Sequence, residues 1–356
     1  MMRWKTLLVT SASFIYAATL HAITYDITPD TKMVGEVFTA RVEYNDSFND
    51  LSRRYDIGYY ELVDANPHID PWSPREGASI LIPSQFILPP GPHQGIVVNL
   101  AELRLYYFSP DGKSVTTFPI GIGSEVWPTP TTTGSVLQKK EHPAWYVPDS
   151  IMKEHEERGD SLPRVVPPGP ENPLGDYALK LSIPGYLIHG TNMPGGIGRR
   201  ITHGCMRMFP EDIKTLFGLV SVGTPVRIIH VPMKEAWVDN TLYVELHPAL
   251  PEYEAPNVDL VGELMNAMYH EGPGGNFQVD WSKIRAMAKS ANGVPTAVGG
   301  VYRQVGDAED GSSVSSNANE RPAPIYETDY RHVREAAVQA QQEARDDRDN
   351  NDSDHN

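Results

Sequence analysis

Apolar residues follow three rhythms along this chain. From Leu7 to Leu20 they form one nearly continuous run, behind Arg3 and Lys5 and ahead of the small Ala22. From about residue 95 to 231 they alternate with polar residues in short blocks, the period of a half-buried strand. "GIVVNLAELRLYYF" alternates around a turn near Asn99–Glu102, and "KSVTTFPIGIG" returns after the tight turn Ser109-Pro110-Asp111-Gly112, a residue set that closes hairpins. "WPTPTTTGSVLQKK", "YALKLSIPGYLIHG" and "GTPVRIIH" supply further strands. Helical spacing is confined to a few segments. Ile213, Leu216, Phe217 and Val220 form one stripe behind Pro210 and first-turn acids, which reads as a helix with a well-made N-terminus.

Ahead of that β-rich region, residues 23–89 carry a different order. "FTARVEY" predicts a strand, Asn45-Asp46-Ser47 a turn and helix N-cap. Leu51 and Tyr55 share a first helix face, "YYELVDAN" a second helix, and "GASILIP" a return strand ended by Pro83. The Pro/Gly stretch Ile87–Gly95 reads as a domain boundary. Behind the β-rich region, residues 232–304 combine the strand "TLYVELHP" with helices near Val258–His270 and Trp281–Ser290. The fold class expected is therefore a mainly β domain, a mixed β sandwich or barrel over 95–231. It carries a small βααβ N-terminal module and a small α+β C-terminal subdomain. Parallel βαβ alternation is absent, which excludes a Rossmann-like domain.

Composition divides the ends from the middle. The first 22 residues have the layout of a secretory signal peptide, and the apolar run is shorter than the roughly 20 residues that span a bilayer. Cleavage after Ala22 would leave no transmembrane span. The last segment, 305–356, holds thirteen Asp/Glu and five Arg/Lys, half of a formal net charge of -16. It reads as an acidic disordered tail. This charge excludes nucleic acid as a partner, because phosphate backbones require basic surface.

Export changes the meaning of the single cysteine, Cys205. It cannot pair within its own chain, so it is an intermolecular link, a buried small hydrophobe or a free reactive thiol. Its surroundings are "HGTNMPGGIGRRITHGCMRM", residues 189–208. His189 follows the apolar "YLI" and would end a strand. Thirteen residues separate Gly190 from Gly204, enough for a loop that leaves and returns beside Cys205. A thiol and an imidazole so placed have the form of nucleophile and general base. Gly204 permits an unusual backbone in which the N–H groups of His203, Gly204 and Cys205 converge as an oxyanion hole. Arg207 suits a carboxylate.

These residues, with the order His189, spacer, Thr202-His203-Gly204-Cys205 and Arg207, resemble the signature of the YkuD-type L,D-transpeptidases. The resemblance extends to Gly121, Thr129, Pro130, Gly134 and "GTPVRI", over about 95–231. "AWVDNTLYVELHP" resembles the C-terminal extension of Gram-negative members that carry Arg at this place. The resemblance implies acyl transfer on peptidoglycan tetrapeptide stems without metal or other cofactor. Cys205 would attack the meso-diaminopimelate carbonyl, release D-alanine, and pass the acyl group to an amine. That amine belongs to a second stem or to an outer-membrane lipoprotein. His189 would be the base and the Gly190 carbonyl its orienting acceptor. His203 and Arg207 would shape the site, and Thr202, Asn192 and Tyr177 are further candidates for substrate contact. The expected location is the periplasm. The βααβ pattern at 23–89, with Leu51, Tyr55, Leu62, Asn66-Pro67, Gly77, Ile80 and Ile82-Pro83, resembles a LysM peptidoglycan-binding module. Asn45 replaces its usual glycine, and a small packing domain without ligand is the other reading.

Two competing readings are a cysteine hydrolase or carboxypeptidase on stem peptides and a non-catalytic wall-binding protein. A hydrolase of another fold would need His230, His247 or His270 as the partner of Cys205, and none has a supporting motif. "HEERG" at 155–159 lacks the second histidine of a zinc helix. His142 and His155 read as solvated loop residues, and Trp127, Trp145 and Tyr146 as core or loop packing.

Overall fold

The computed structural model describes residues 22–253 and 277–301. The leader, the helix expected near Val258–His270 and the acidic tail lie outside the described residues.

The chain opens with β1 (Thr24–Asp26), then β2 (Met33–Arg41), α1 (Phe48–Tyr55), α2 (Tyr59–Ala65) and β3 (Ser79–Ile87). It continues with β4 (Gly95–Asn99), β5 (Arg104–Phe108), β6 (Ser114–Pro119), β7 (Ile122–Gly123) and β8 (Thr132–Glu141). An excursion follows, made of β9 (Trp145–Tyr146), α3 (Asp149–Glu157) and β10 (Val165–Val166). Next come β11 (Tyr177–Leu181), β12 (Leu187–His189), β13 (Arg200–Thr202), β14 (Met206–Arg207), α4 (Pro210–Leu219) and β15 (Pro225–Ile229). The C-terminal part holds β16 (Met233–Val238), β17 (Thr241–Leu246), β18 (Phe277–Val279), α5 (Trp281–Ser290) and β19 (Thr296–Val301).

Among the described residues the central sheet has nine strands, in the order β1-β6-β5-β4-β15-β8-β11-β12-β14. It is mixed: β15 runs parallel to β4, and β14 parallel to β12, while the other neighbours are antiparallel. The mainly β architecture agrees with the alternation in the sequence. The βααβ order of the N-terminal module is also present, with β2 and β3 antiparallel. Ser47 caps α1 and its hydroxyl accepts from the Asp50 N–H, while Asp50 returns to the Ser47 N–H. α4 starts at Pro210, as its sequence predicts.

Alternation along each strand sends neighbouring side chains to opposite faces. One face of the sheet buries Ile96, Val98, Leu105, Tyr107, Phe118, Leu179, Ile188 and Met206 against Ile213 and Leu216 of α4. The other face carries Val97, Tyr106, Phe108 and Val115, and the module's Phe48, Leu51, Leu62, Ile80 and Ile82 cover it. β4 and β5 are thus buried on both sides, where the sequence reads as half-buried. The expected boundary at Ile87–Gly95 therefore joins two parts that share one apolar core. Arg104 points into that second core, and its guanidinium makes a two-pronged pair with Glu61 of α2 at 2.9 and 2.8 Å.

Other differences from the sequence reading are local. β1 lies in the central sheet beside β6, so the module is an insertion between two strands of one sheet. β2 begins at Met33 rather than Phe38 and leaves its ladder before Asn45, whose φ is 61°. β16 and β17 form a hairpin around Asp239 and Asn240, both with positive φ, a turn chemistry suited to such hairpins. α3 replaces a predicted loop, so His155 is helical rather than a loop residue. Of the aromatics read as core or loop packing, Tyr146 is exposed and Trp127 packs outside the core beside the His203 ring.

In the C-terminal part, α5 packs Ile284, Met287 and Ala288 on Leu242, Val244 and Val298. It is tied to the rest by a buried cluster. The Lys234 ammonium lies 2.8 Å from both Glu102 and Glu245, and Glu245 also accepts from the Ile87 N–H at 2.7 Å. Glu102, Glu245 and His247 have the donor types of a metal site, but the ammonium already occupies the space between the two carboxylates. Among the described residues no helix is long and apolar enough to cross a membrane.

Candidate active site

β12 and β14 bring the two halves of the sequence motif together. Ile188 pairs with Met206 and His189 with Arg207 in parallel register, and the Met208 N–H donates to the His189 carbonyl at 2.9 Å. Ile188, Met206 and Met208 enter the core under α4. Alternation therefore sends His189, Arg207 and, two residues earlier, Cys205 to the opposite side. Thiol, imidazole and guanidinium share that side.

The turn carrying Cys205 is held by hydroxyls. Thr202 Oγ1 donates to the Cys205 carbonyl at 2.6 Å and accepts from the Gly204 N–H at 3.2 Å. Thr129 Oγ1 donates to the Gly204 carbonyl at 2.8 Å and accepts from the Gly123 N–H at 3.0 Å. Tyr253 donates in turn to the Thr129 carbonyl at 2.6 Å. Gly204 has φ of 99°, a left-handed conformation open to glycine at little cost. A side chain there would also press on the Tyr186 ring, 3.0 Å from its β-carbon.

His189 Nδ1 lies 2.7 Å from the Gly190 carbonyl oxygen. A carbonyl only accepts, so Nδ1 carries the proton and Nε2 keeps its lone pair. His189 is buried, and burial together with the Arg207 charge pushes its pKa down to about 4. Burial pushes the Cys205 thiol up, opposed by the Leu187 backbone N–H and by Arg207. The Cys205 sulfur lies 3.7 Å from the Gly185 carbonyl oxygen. Both shifts favour a neutral thiol beside a neutral imidazole over a preformed thiolate–imidazolium pair. Arg207 Nε is buried without a hydrogen-bond partner among the described residues, and an unpaired buried donor is costly until a ligand accepts from it.

The remaining sequence candidates fall elsewhere. His203 turns outward, its Nε2 2.7 Å from Glu154 of α3 and its ring 5.7 Å from Trp127. Thr202 is buried and its hydroxyl is committed to the turn, so it holds the thiol loop instead of facing a substrate. The Gly204 N–H is likewise committed, which removes one of the three expected oxyanion donors. Tyr177 points to the core side, its ring tilted at 53° to that of Phe217 with centroids 4.9 Å apart, because it sits one residue out of phase with Ala178, the partner of His189. Asn192 is exposed in the loop after His189. His142 is exposed and faces Asp176 at 3.3 Å. His230 accepts from the Leu250 N–H, and His247 pairs with Glu245, so both are engaged away from Cys205. His270 lies outside the described residues. The sequence names Thr129 only as one of the residues that carry the resemblance, without a role in the thiol turn, and Tyr186 and Glu154 carry no local signal.

Comparisons with known proteins identify the family. The family model of the YkuD L,D-transpeptidase catalytic domain matches residues 93–228. The chain is 42% identical over 258 residues to the probable L,D-transpeptidase YcfS of Escherichia coli K12, covering 70% of this chain and 80% of that protein. It is 36% identical over 314 residues to the probable L,D-transpeptidase ErfK/SrfK of the same strain, covering 85% and 100%. It is 39% identical over 260 residues to the probable L,D-transpeptidase YbiS of that strain, covering 71% and 85%. A thiol turn beside a strand-end histidine, inside a domain of this family, makes the chain an enzyme that belongs to the L,D-transpeptidases.

Proposed function

We propose that the enzyme acts in the periplasm on peptidoglycan tetrapeptide stems through Cys205. His189 Nε2 takes the thiol proton as sulfur attacks the carbonyl on the L-centre of meso-diaminopimelate. The N–H groups of His203 and Cys205 are the donors for the resulting oxyanion, and Arg207 is the partner of a substrate carboxylate. The tetrahedral intermediate collapses, the C–N bond breaks, and D-alanine leaves with the proton from the imidazolium. A thioester remains. An amine then attacks it, His189 takes the amine proton, the C–S bond breaks, and the imidazolium returns that proton to the leaving sulfur to restore the thiol.

The observation that carries this reading is the shared side of His189, Cys205 and Arg207, with Nδ1 of His189 fixed on the Gly190 carbonyl. Gly190 and Gly204 then act through the backbone, and His203 through its contact with α3. The acceptor is the side-chain amine of a second stem, giving a 3-3 cross-link, or the terminal lysine of an outer-membrane lipoprotein. The βααβ module is the glycan-binding part. Tyr44 and Trp72 stand exposed on its loops, and aromatic faces stack on sugars.

Muropeptide mass spectrometry of sacculi treated with the purified protein tests the reading. New 3-3 dimers, or a lipoprotein adduct when that acceptor is added, are expected. Tripeptide alone would make the enzyme a carboxypeptidase. No change in the profile would overturn the assignment.

A further inference from the structure

The loop between His189 and Cys205 is braced from outside the catalytic sheet. Its segment 197–199 touches the N-terminal module through the backbone: the Tyr59 N–H donates to the Ile197 carbonyl at 3.4 Å and the Tyr60 N–H to the Gly198 carbonyl at 3.2 Å. Gly198 has φ of 73°, and a β-carbon on it would fall 2.0 Å from Tyr59 N. Only glycine allows this approach. Beside it, the Arg199 guanidinium lies 3.4 Å from the centre of the Tyr59 ring and 5.7 Å from that of Trp72. Arg199 Nη2 also donates to Asn49 Oδ1 at 3.3 Å. All three partners belong to the module.

The same segment is stitched inward to Arg207. The Gly198 N–H donates to the Ile120 carbonyl and the Ile122 N–H to the Arg199 carbonyl, at 3.1 and 3.0 Å. Gly121 and Arg207 exchange both backbone bonds, at 2.9 and 2.8 Å. The turn Pro194–Gly196 stands beside the Arg207 side chain, with a β-carbon on Gly196 falling 3.8 Å from Arg207 Nη1. The module, the 194–199 segment and Arg207, whose Nε has no partner among the described residues, therefore form one continuous structure.

We propose that Arg199 is a positioning residue for donor binding: held by Tyr59, Trp72 and Asn49 of the module, it fixes the wall beside Arg207 where the donor carboxylate docks. The module is thus a structural part of the donor site as well as a separate wall-binding surface. This rests on the reading of Arg207 as the carboxylate partner. Because the brace acts on docking and not on the thiol turn, its loss should appear in KM while the reactivity of Cys205 toward a small neutral reagent stays the same.

The test uses the full mature chain, a tetrapeptide donor and, in parallel, the rate of Cys205 alkylation by iodoacetamide. Arg199→Gln is expected to raise KM by about threefold to tenfold, the range of one cation–π contact, with kcat and alkylation rate within about twofold of wild type. Arg199→Lys and Tyr59→Phe, which keep the cation and the ring, should restore most of the affinity, and Tyr59→Leu should match Arg199→Gln. An unchanged KM in Arg199→Gln overturns the proposal. So does a parallel fall in kcat and alkylation, which would mean general distortion. Arg207→Gln separates the two layers. If it leaves KM unchanged, the carboxylate reading fails and the brace with it. If it raises KM while Arg199→Gln does not, the brace alone fails.

Discussion

At the β4–β5 end, the outer face of the sheet carries Val97, Arg104, Tyr106 and Phe108 beneath the module; at the β12–β14 end the same face carries His189, Cys205 and Arg207. The two ends treat an arginine in opposite ways, Arg104 being fully buried and Arg207 half-buried. Arg104 is paired with Glu61, donates to Thr117 at 3.0 Å and lies over the Phe86 ring. Arg207 keeps an Nε without a partner among the described residues. A buried ion pair whose hydrogen bonds are made leaves little for a ligand to gain, whereas an unmade bond next to a thiol is where a substrate gains most. One sheet thus separates stability from chemistry along its length.

Substitutions should respect that division. Cys205→Ala is expected to abolish transpeptidation outright while leaving the thermal midpoint near that of wild type, as measured by muropeptide yield and calorimetry. A large loss of stability would put the thiol in a packing role. At the other end, Glu61→Gln leaves Arg104 uncompensated. It should cost about 3–5 kcal/mol in denaturant unfolding, with Cys205 alkylation unchanged in the protein that remains folded.

Thr129→Val sharpens the boundary between the two ends. It removes the hydroxyl that links the Gly204 carbonyl to the Gly123 N–H, so the thiol turn loosens. A fall in kcat of about tenfold is expected, which corresponds to about 1.4 kcal/mol, with recovery in Thr129→Ser. An effect of similar size, but dependent on pH, concerns Asp56 and Asp212, buried carboxyls where the module meets α4. Burial pushes Asp56 up to about 6 and Asp212 well above the usual carboxylate range. A raised folded-state pKa favours the protonated form, so this stability is complete below about pH 4 and is lost as pH rises through about 6. Asp56→Asn should therefore add about 1–2 kcal/mol at pH 7.5 and little at pH 4, read from melting curves across that window. Asparagine tolerates the φ of 53° at this position.

Much of the open end was legible in the sequence because its parts are local. His189 at the end of an apolar strand, glycine before the thiol and Arg207 after it are all contained in twenty residues. Strand parity was less legible. Tyr177 and Ala178 are neighbours in sequence, yet only a sheet pairing decides which of them shares a side with His189. The hydroxyl of Thr202 looked available until the turn used both of its bonding directions. The sealed end was misjudged for a related reason. Alternation in β4 and β5 suggested one wet face, and only the insertion of the module after β1 covers it. Thr129, Tyr186 and Glu154 stand 76, 19 and 51 positions before Cys205 in the chain, distances that no local pattern encodes.

The central claim is that the acyl group passes through Cys205, from a neutral thiol with His189 as base. Intact-mass spectrometry of the wild-type chain incubated with a tetrapeptide donor and no amine acceptor tests it most directly. The account predicts a covalent adduct equal to the donor acyl group, mapped to Cys205, with one D-alanine released per adduct and none formed in Cys205→Ala. Release of D-alanine by Cys205→Ala at the wild-type rate, or an adduct on another residue, would contradict it.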